Sequence, residues 1–495
     1  MKEDIENLYA HNIRLAPDAY HLILQNKIPK EALSQLCAST NPFLSDEEVK
    51  QTLSKFENSP KMEDQKKDSV PAPNVEVIKS PRFSPLAKEY SPKIKIHEHR
   101  DVSGQSRCMG TVDDFVAYFR DRYKQEASIL KQRNCQFPIL RCDQLQAQTG
   151  TQARLIAMVS DKKITAKGNL WFDVEDDYSS AKVLISSKEP IFKQAQNILR
   201  DDVIAFDGRS TENFFIANAI AWPDIPVIRN EPKCEEDVAI AYLSDLHIGS
   251  RFYLEKPFKR VLRWLRGEEG NEELAGKVKY ICIAGDLVDG IGVYPSQEKE
   301  LTIKDIYAQY EAFDRIMEEI PDHIEVIAGP GNHDAVRRSD PQPYIPMDMI
   351  KSDVKKIGSP STVEIESFNH LIYHGTSLDA MIANMSGLSY AKPEGPMLEM
   401  LKRRHLSPLY GENLIVPEIR DFMVISQEPD IVHMGHVHKN ASMKYRGTLL
   451  LNSGTFQDRT DFQVKMGHIP SPGILPVLEL KTQQLSHLKF LEEKL

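Results

Sequence analysis

Cysteine is sparse, and nothing in its spacing pairs it: Cys37, Cys108, Cys135, Cys142, Cys234 and Cys282 are scattered, with no Cys-x-x-Cys. That excludes a zinc ribbon and a disulfide framework and leaves reduced thiols. The chain also lacks any run of about 18 apolar residues, the length a membrane-spanning helix needs. Its opening residues, MKEDIENLYAHNIR, lack the apolar stretch of a signal peptide. A cytoplasmic location without membrane contact is expected. Positive charge is short as well, with 62 Lys and Arg against 72 Asp and Glu and a formal net charge of −10. A globally basic surface for non-specific nucleic-acid binding is therefore excluded, and any such contact is local or shared with a partner.

What is present is length and segmentation. A chain of 495 residues predicts two to four domains at about 100 to 200 residues each. Residues 1–57 read as a small helical module, in which LSDEEV makes Ser45 a cap, puts Glu48 three residues on, and sets Leu44 against Val49. Residues 58–105 read as a disordered Ser/Pro linker, with Ser-Pro at Ser59, Ser80, Ser84 and Ser91 and few large apolar residues. Residues 106–137 carry a connecting helix: in TVDDFVAYFRDRY, Thr111 is the cap, and Val112, Phe115, Val116 and Phe119 share one face.

From 138 to 228 the pattern changes to short strands: ARLIAMVSD, NLWFDVEDD, AKVLIS, DDVIAFDGRS and FFIANAIAWP. Strands at this spacing predict a small barrel, with an OB-fold first. Its charge is balanced to slightly acidic, and Trp171, Phe172, Phe214, Phe215 and Trp222 sit mostly within apolar runs. Both features favour a structural or protein-binding barrel over one that grips single-stranded DNA.

From 236 to 485 the alternation changes again. VAIAYLSDLHIGS, VKYICIAGDLVDG, IEVIAGPGNHD, NHLIYHGTS and DIVHMGHVHK are apolar runs of strand length ending in polar, glycine-containing sequence. Such runs are strands buried on both faces, hence a layered α/β domain. Between the first two, EKPFKRVLRWLRG reads as a crossover helix closed by Gly267.

Each run delivers candidate ligands at its C-terminal end, where open sheets place their sites. In order these are Asp245 and His247, then Asp286, then Asn332 and His333, then His374, then His436 and His438. A single histidine after a strand is ordinarily just a hydrogen-bonded residue; five such deliveries in succession are not explained that way. Strand alternation turns Asp245 and His247 to one side, where both can reach one ion, and likewise His436 and His438, although each of these could instead serve a neighbouring ion. Imidazole, carboxylate and amide oxygen together suit Mn, Fe, Zn or Ni better than Mg or Ca. Eight candidates exceed one tetrahedral ion, and two ions about 3.5 to 4 Å apart suit phosphoester cleavage.

The order DLH, GDLVD, GNHD, HG, GHVH, over residues 245–438, resembles the calcineurin-like metallophosphoesterase superfamily. The resemblance implies an α/β fold class: a layered β-sandwich flanked by helices, here preceded by the OB-fold barrel and the helical N-terminal module. It also implies two divalent metal ions, Mn first and Fe, Zn or Ni as alternatives. One would be held by Asp245, His247 and His438, the other by Asn332, His374 and His436, with Asp286 bridging. His333 would be the general acid or leaving-group stabiliser, and Asp289 the carboxylate that orients it.

A finer resemblance lies in the domain order and in SDLHIGSRFYLEKPF, RRHLSPLYGEN and LLLNSGTFQDRTDFQ. Over about residues 235–480 the chain is similar to the small-subunit family of archaeal family D DNA polymerases. That implies a proofreading 3′–5′ exonuclease acting on single-stranded DNA or primer 3′ ends, in a heterodimer with a large catalytic polymerase subunit. No clamp-binding peptide stands out, so contact with a sliding clamp is expected only through the complex. Related eukaryotic accessory subunits have lost the metal ligands and act as scaffolds. The ligands kept here favour an active nuclease over a scaffold, and the long N-terminal half argues against a stand-alone phosphodiesterase on small substrates. Arg251, Arg337, Arg338, Arg403 and Arg404 flank the motifs and are candidates for phosphate contacts. His433 reads as a packed histidine, and His405 as part of a loop over the site.

Overall fold

The computed structural model describes residues 83–491 continuously, and isolated positions between 8 and 52. Met1–Ser80 and Pro81–Leu495 are separate compact units. In the first, Arg14–Leu15 pairs in parallel with Phe43–Leu44, and Leu8, Ala19, Ile23, Leu36 and Val49 are buried. The rest of the helical module expected over 1–57, including the Ser45 cap, lies outside the described residues, as do residues 58–82 of the expected linker.

The remainder of that expected linker is ordered, contrary to the reading from composition. Strand β1 (Ile94–Ile96) adds to a sheet edge, with Ile96 opposite Val363 and Ile94 opposite Ile365. Ala87 and Val102 are fully buried, and the Asp101 carboxylate accepts the Gly358 amide at 2.6 Å. The few apolar residues of this stretch are spent on a partner strand some 270 positions away, which local composition does not reveal.

Helix α1 (Val112–Lys131) starts at Thr111, whose capping box with Asp114 is formed. Its buried face is Tyr118, Arg122, Glu126, Ala127 and Leu130, rotated by part of a turn from the predicted stripe, and Val112 is exposed. The face turns because α1 packs Ala127 and Leu130 on Ile156, Met158, Val203 and Ala205 of the following strands. Arg122 meanwhile forms a buried ion pair with Asp421 at 2.9 Å. Removing one partner of such a pair costs about 3 to 5 kcal/mol, so this contact fixes α1 more firmly than any exposed apolar residue on it.

Strands β2 (Gln152–Ile164), β3 (Leu170–Glu175), β4 (Ser180–Ile185), β5 (Val203–Ser210) and β6 (Phe215–Ala221) pair in the order β2-β3-β4-β6-β5, and β5 closes back on β2. The result is a closed five-stranded barrel with no free edge among these strands. Period-two burial fills it: Leu170, Phe172 and Val174 point inward beside Phe206 and Phe215. Outside, Trp171 and Phe214 stand together with ring centroids 5.5 Å apart.

The rest of the chain forms two six-stranded sheets. The first contains β7 (Ala239–Leu243), β8 (Val278–Ala284), β9 (Glu325–Gly329) and β10 (Val354–Lys356), all parallel, with the C-terminal hairpin beyond β7. All residues of β7 and β8 are buried, as their unbroken apolar runs require. The second sheet holds β11 (Ser361–Ile365), β12 (Phe368–Ile372), β13 (Ile431–Met434) and, through the strand Thr448–Asn452, its far edge. Ile240, Tyr242 and Cys282 of one sheet share a core with Ile372, Ile431 and Leu451 of the other. Helices α2 (Glu255–Leu265) and α3 (Ile306–Met317) cover the first sheet through Trp264, Tyr310 and Phe313. Helices α4 (Leu378–Asn384) and α5 (Glu394–Arg403) cover the second through Met381, Met397 and Met400.

Candidate metal centre

The C-terminal ends of β7, β8, β9, β12 and β13 meet at one place, and each predicted ligand lies two to four residues past its strand. The spacing of two in DLH and HVH does not come from strand alternation as expected. The strands stop at Leu243 and Met434, and Asp245, His247, Asp286, His436 and His438 all have φ between 51° and 69°. This left-handed conformation is uncommon in residues other than glycine, and when it recurs it marks a site where backbone strain serves side-chain placement. Two glycines admit the crossing chains. A Cβ at Gly435 would stand 2.3 Å from Asp245 Oδ2, and one at Gly331 would stand 2.2 Å from Asp286 Oδ1.

Asp245, His247 and His438 form one set. His247 and His438 face each other through Nε2 atoms 3.0 Å apart, and His438 Nε2 is 3.3 Å from Asp245 Oδ1. His247 Nδ1–H donates to Asp289 Oδ1 at 3.1 Å, which turns Nε2 inward. Gln463 donates its amide to His438 Nδ1 at 2.8 Å.

Asn332, His374 and His436 form a second set. His374 donates Nδ1–H to the Ala284 carbonyl at 2.8 Å, and His436 donates Nε2–H to Asp379 at 2.9 Å. Their other nitrogens converge on Asn332 Oδ1 at 2.9 and 3.0 Å. Asp286 stands between the sets, its Oδ2 lying 3.6 Å from His247 Nε2 and 3.3 Å from His374 Nε2.

Acceptor atoms gathered this closely repel one another unless positive charge lies among them. Burial alone would favour neutral histidines. Against it, the Asp289 hydrogen bond and the charges of Asp286, Asp289 and Asp245 raise His247 to about 9. Asp286 and Asp245 raise His374 to about 10 in the same way. Burial also opposes charge on Asp286, yet the surrounding histidines hold its carboxyl well below the usual range. The site thus draws in protons where a divalent cation would satisfy the same field. Three groups of ligand atoms lie within 4.8 Å of one another: Asp245/His247/His438, His247/Asp286/His333 and Asp245/Asp286/His374. The mixed nitrogen and oxygen donors fit divalent metal ions.

His333 stands at the rim, its ring 4.6 Å from that of His247. It is held by Asp289, but not through the carboxylate as expected: Nδ1–H donates to the Asp289 main-chain carbonyl at 2.7 Å. The carboxylate is taken by His247, Gln297 and Gln457. Burial of the whole group lets one aspartate serve two histidines through two different atoms. Motif reading also missed Asp379 and Gln463, which fix the ring orientation of His436 and His438; nothing in local spacing marks either.

The flanking cations mostly serve the fold. Arg403 is buried against Asp202 and Glu399, Arg404 bonds the Ile425 carbonyl and Glu428, and Arg337 pairs with Glu418. Arg251 pairs with Asp461 and Glu300. Arg338 is exposed and donates to the uncharged Gly292 carbonyl, so its charge stays open to a phosphate. His405 is not over the site but buried on Asp421 at 2.9 Å, in the Arg122 network. His433 is packed, with Nε2 on Ser453 at 3.0 Å.

Residues 238–440 match the calcineurin-like phosphoesterase family. The DNA polymerase II small subunit of Methanocaldococcus jannaschii is 40% identical over 416 residues, covering 81% of this chain and 69% of that one. The DNA polymerase II small subunit of Archaeoglobus fulgidus is 40% identical over 386 residues, covering 76% and 77%. That of Methanothermobacter thermautotrophicus is 38% identical over 395 residues, covering 78% and 81%. Among the described residues, no helix is long and apolar enough to cross a membrane.

Proposed function

Since this chain belongs to the family of DNA polymerase II small subunits, we propose that it is the metal-dependent 3′–5′ exonuclease subunit of a two-subunit DNA polymerase, removing mispaired primer ends. The partner in this reading is the large catalytic subunit, as the relatives' name implies, and a sliding clamp is met only through that complex. The observation that carries the reading is the convergence of Asp245, His247 and His438 with Asn332, His374 and His436 around Asp286.

In this reading Asp245, His247 and His438 hold one divalent ion, Asn332, His374 and His436 the other, and Asp286 lies between them. Mn is the first choice, with Fe, Zn and Ni as alternatives. Bound there, the ions would lower the pKa of water and offset charge growing on the phosphate. The protein's own groups do the rest. Asp289, Ala284 and Asp379 fix the ring orientations so that the ligating nitrogens point inward. His333, anchored at Nδ1, is left with Nε2 to stabilise or protonate the departing 3′ oxygen. Arg338, exposed five residues past His333, supplies an open cation for the incoming strand.

The test is hydrolysis of single-stranded DNA and of matched and mispaired primers by the full-length chain with Mn, alone and with the large subunit. Asp286→Ala should abolish 3′-end shortening while leaving the melting transition and large-subunit binding in place. Normal binding by the wild type without hydrolysis would instead identify a scaffold, and loss of fold in the variant would remove Asp286 from the catalytic assignment.

A further inference from the structure

The cavity over the metal centre, of about 260 Å³, has two unlike ends. At one end stands His333, with the ring of Tyr294 at 6.2 Å and the Tyr294 hydroxyl committed to Glu300. At the other, past His436 and Asp379, the rings of Tyr390 and His468 lie with centroids 4.1 Å apart and planes 35° apart. Tyr390 comes from the connection between α4 and α5, and His468 from just after the helix Asp461–Met466. Both rings are only partly buried and both line the cavity. Neither bonds a predicted ligand directly; the Tyr390 hydroxyl meets Asp379.

We infer that the Tyr390–His468 pair seats the base of the 3′-terminal nucleotide, the one released. This deepens the nuclease reading and rests on it. In that reading the departing 3′ oxygen, with the rest of the strand behind it, occupies the His333 end. The nucleoside that keeps the cleaved phosphate is then left to the end lined by Asp379, Tyr390 and His468. A close, tilted aromatic pair there offers any base a π-face without reading its identity, as a proofreading site requires. It also accepts only a base that has left its duplex partner, which a mispaired end does at least cost. The half-exposed Asp379 carboxylate beside it disfavours a phosphate at this end, so the backbone runs toward Arg338 instead.

The test compares two single-stranded oligonucleotides, one with an ordinary 3′-terminal nucleotide and one with an abasic 3′ end, using the full-length chain co-purified with the large subunit in Mn. Tyr390→Ala and His468→Ala should lower kcat/KM on the base-bearing substrate by about 5- to 100-fold, mainly through KM, and leave the abasic substrate unchanged. Tyr390→Phe, which keeps the ring and drops the hydroxyl, should recover most of what Tyr390→Ala loses on the base-bearing substrate. Equal loss on both substrates, or a Phe variant as impaired as the Ala one, would assign Tyr390 to holding Asp379 and overturn the seat. Variants indistinguishable from wild type would overturn it as well. Wild-type protein that hydrolyses neither oligonucleotide would sink the nuclease reading itself, a result distinct from either.

Discussion

His247 and His438, 191 positions apart in the chain, face each other through Nε2 atoms 3.0 Å apart. The Asp289 hydrogen bond and the neighbouring carboxylates raise His247 to about 9, so near neutral pH its Nε2 carries a proton as well as its Nδ1. A divalent ion takes the place of the Nε2 proton. Metal uptake should therefore release protons and raise the melting temperature, and chelation should reverse both. At free metal a hundredfold above Kd the stabilisation is about 2.7 kcal/mol. Calorimetry in two buffers of different ionisation enthalpy measures the proton count; uptake with no proton release would mean that the ion sits elsewhere.

Asp379 is none of the predicted ligands, yet it lines the cavity and holds His436 at 2.9 Å. Asp379→Asn should weaken metal affinity or activity by about 10- to 100-fold, the range for partners that orient a ligating histidine. Metal content after dialysis, compared with rate at saturating metal, separates the two effects. Unchanged values in both would leave His436 independent of Asp379.

His333 is placed as a leaving-group residue by its position at the rim and its Nδ1 bond to the Asp289 carbonyl. His333→Ala should cut kcat on DNA by about 100- to 10,000-fold with metal content unchanged. On thymidine 5′-(p-nitrophenyl phosphate), whose leaving group needs no proton, the loss should be far smaller. A uniform loss on both substrates would point to metal binding as the role of His333, which its closeness to His247 and Asp286 permits.

Three histidines away from the ligand sets are buried in neutral form. Burial is the chief cause, lowering His370 and His405 to about 4 and His433 to about 3. In the unfolded chain each takes up a proton near pH 6.5, so their contribution to stability is intact above that value and is lost as pH falls from 6.5 toward 4. Histidines whose pKa is raised in the fold, such as His247 and His374, are protonated in both states at the lower end of this window and add little slope there. Urea unfolding of the metal-free protein between pH 6.5 and 5 should show stability falling by up to about 1.4 kcal/mol per pH unit for each buried neutral histidine. His433→Gln should reduce that slope by one proton; an unaltered slope would mean that His433 is charged in the fold.

Much of the site was legible because motifs report local chemistry. DLH, GDLVD, GNHD and GHVH each end an apolar run, and each residue they offered stands at the strand ends that meet in the fold. The barrel was legible for a related reason: period-two burial writes itself into alternating sequence, as in Leu170, Phe172 and Val174.

Tertiary structure decided what depends on partners distant in the chain. Whether residues 83–105 are ordered turned on the free edge of β11, where Ile94 and Ile96 find Ile365 and Val363. Arg403, Arg404 and His405 look like substrate contacts by proximity in sequence, but buried charge needs a counter-charge, and Asp202, Glu428 and Asp421 claim them. Asp289 was named from its motif, yet which of its atoms holds which histidine was set by how the loops after β7 and β9 cross. Sequence fixes donor types and their order. The folded loops, five of whose ligand candidates sit in left-handed backbone conformations, fix which lone pairs face one another, and that decides where a cation is wanted.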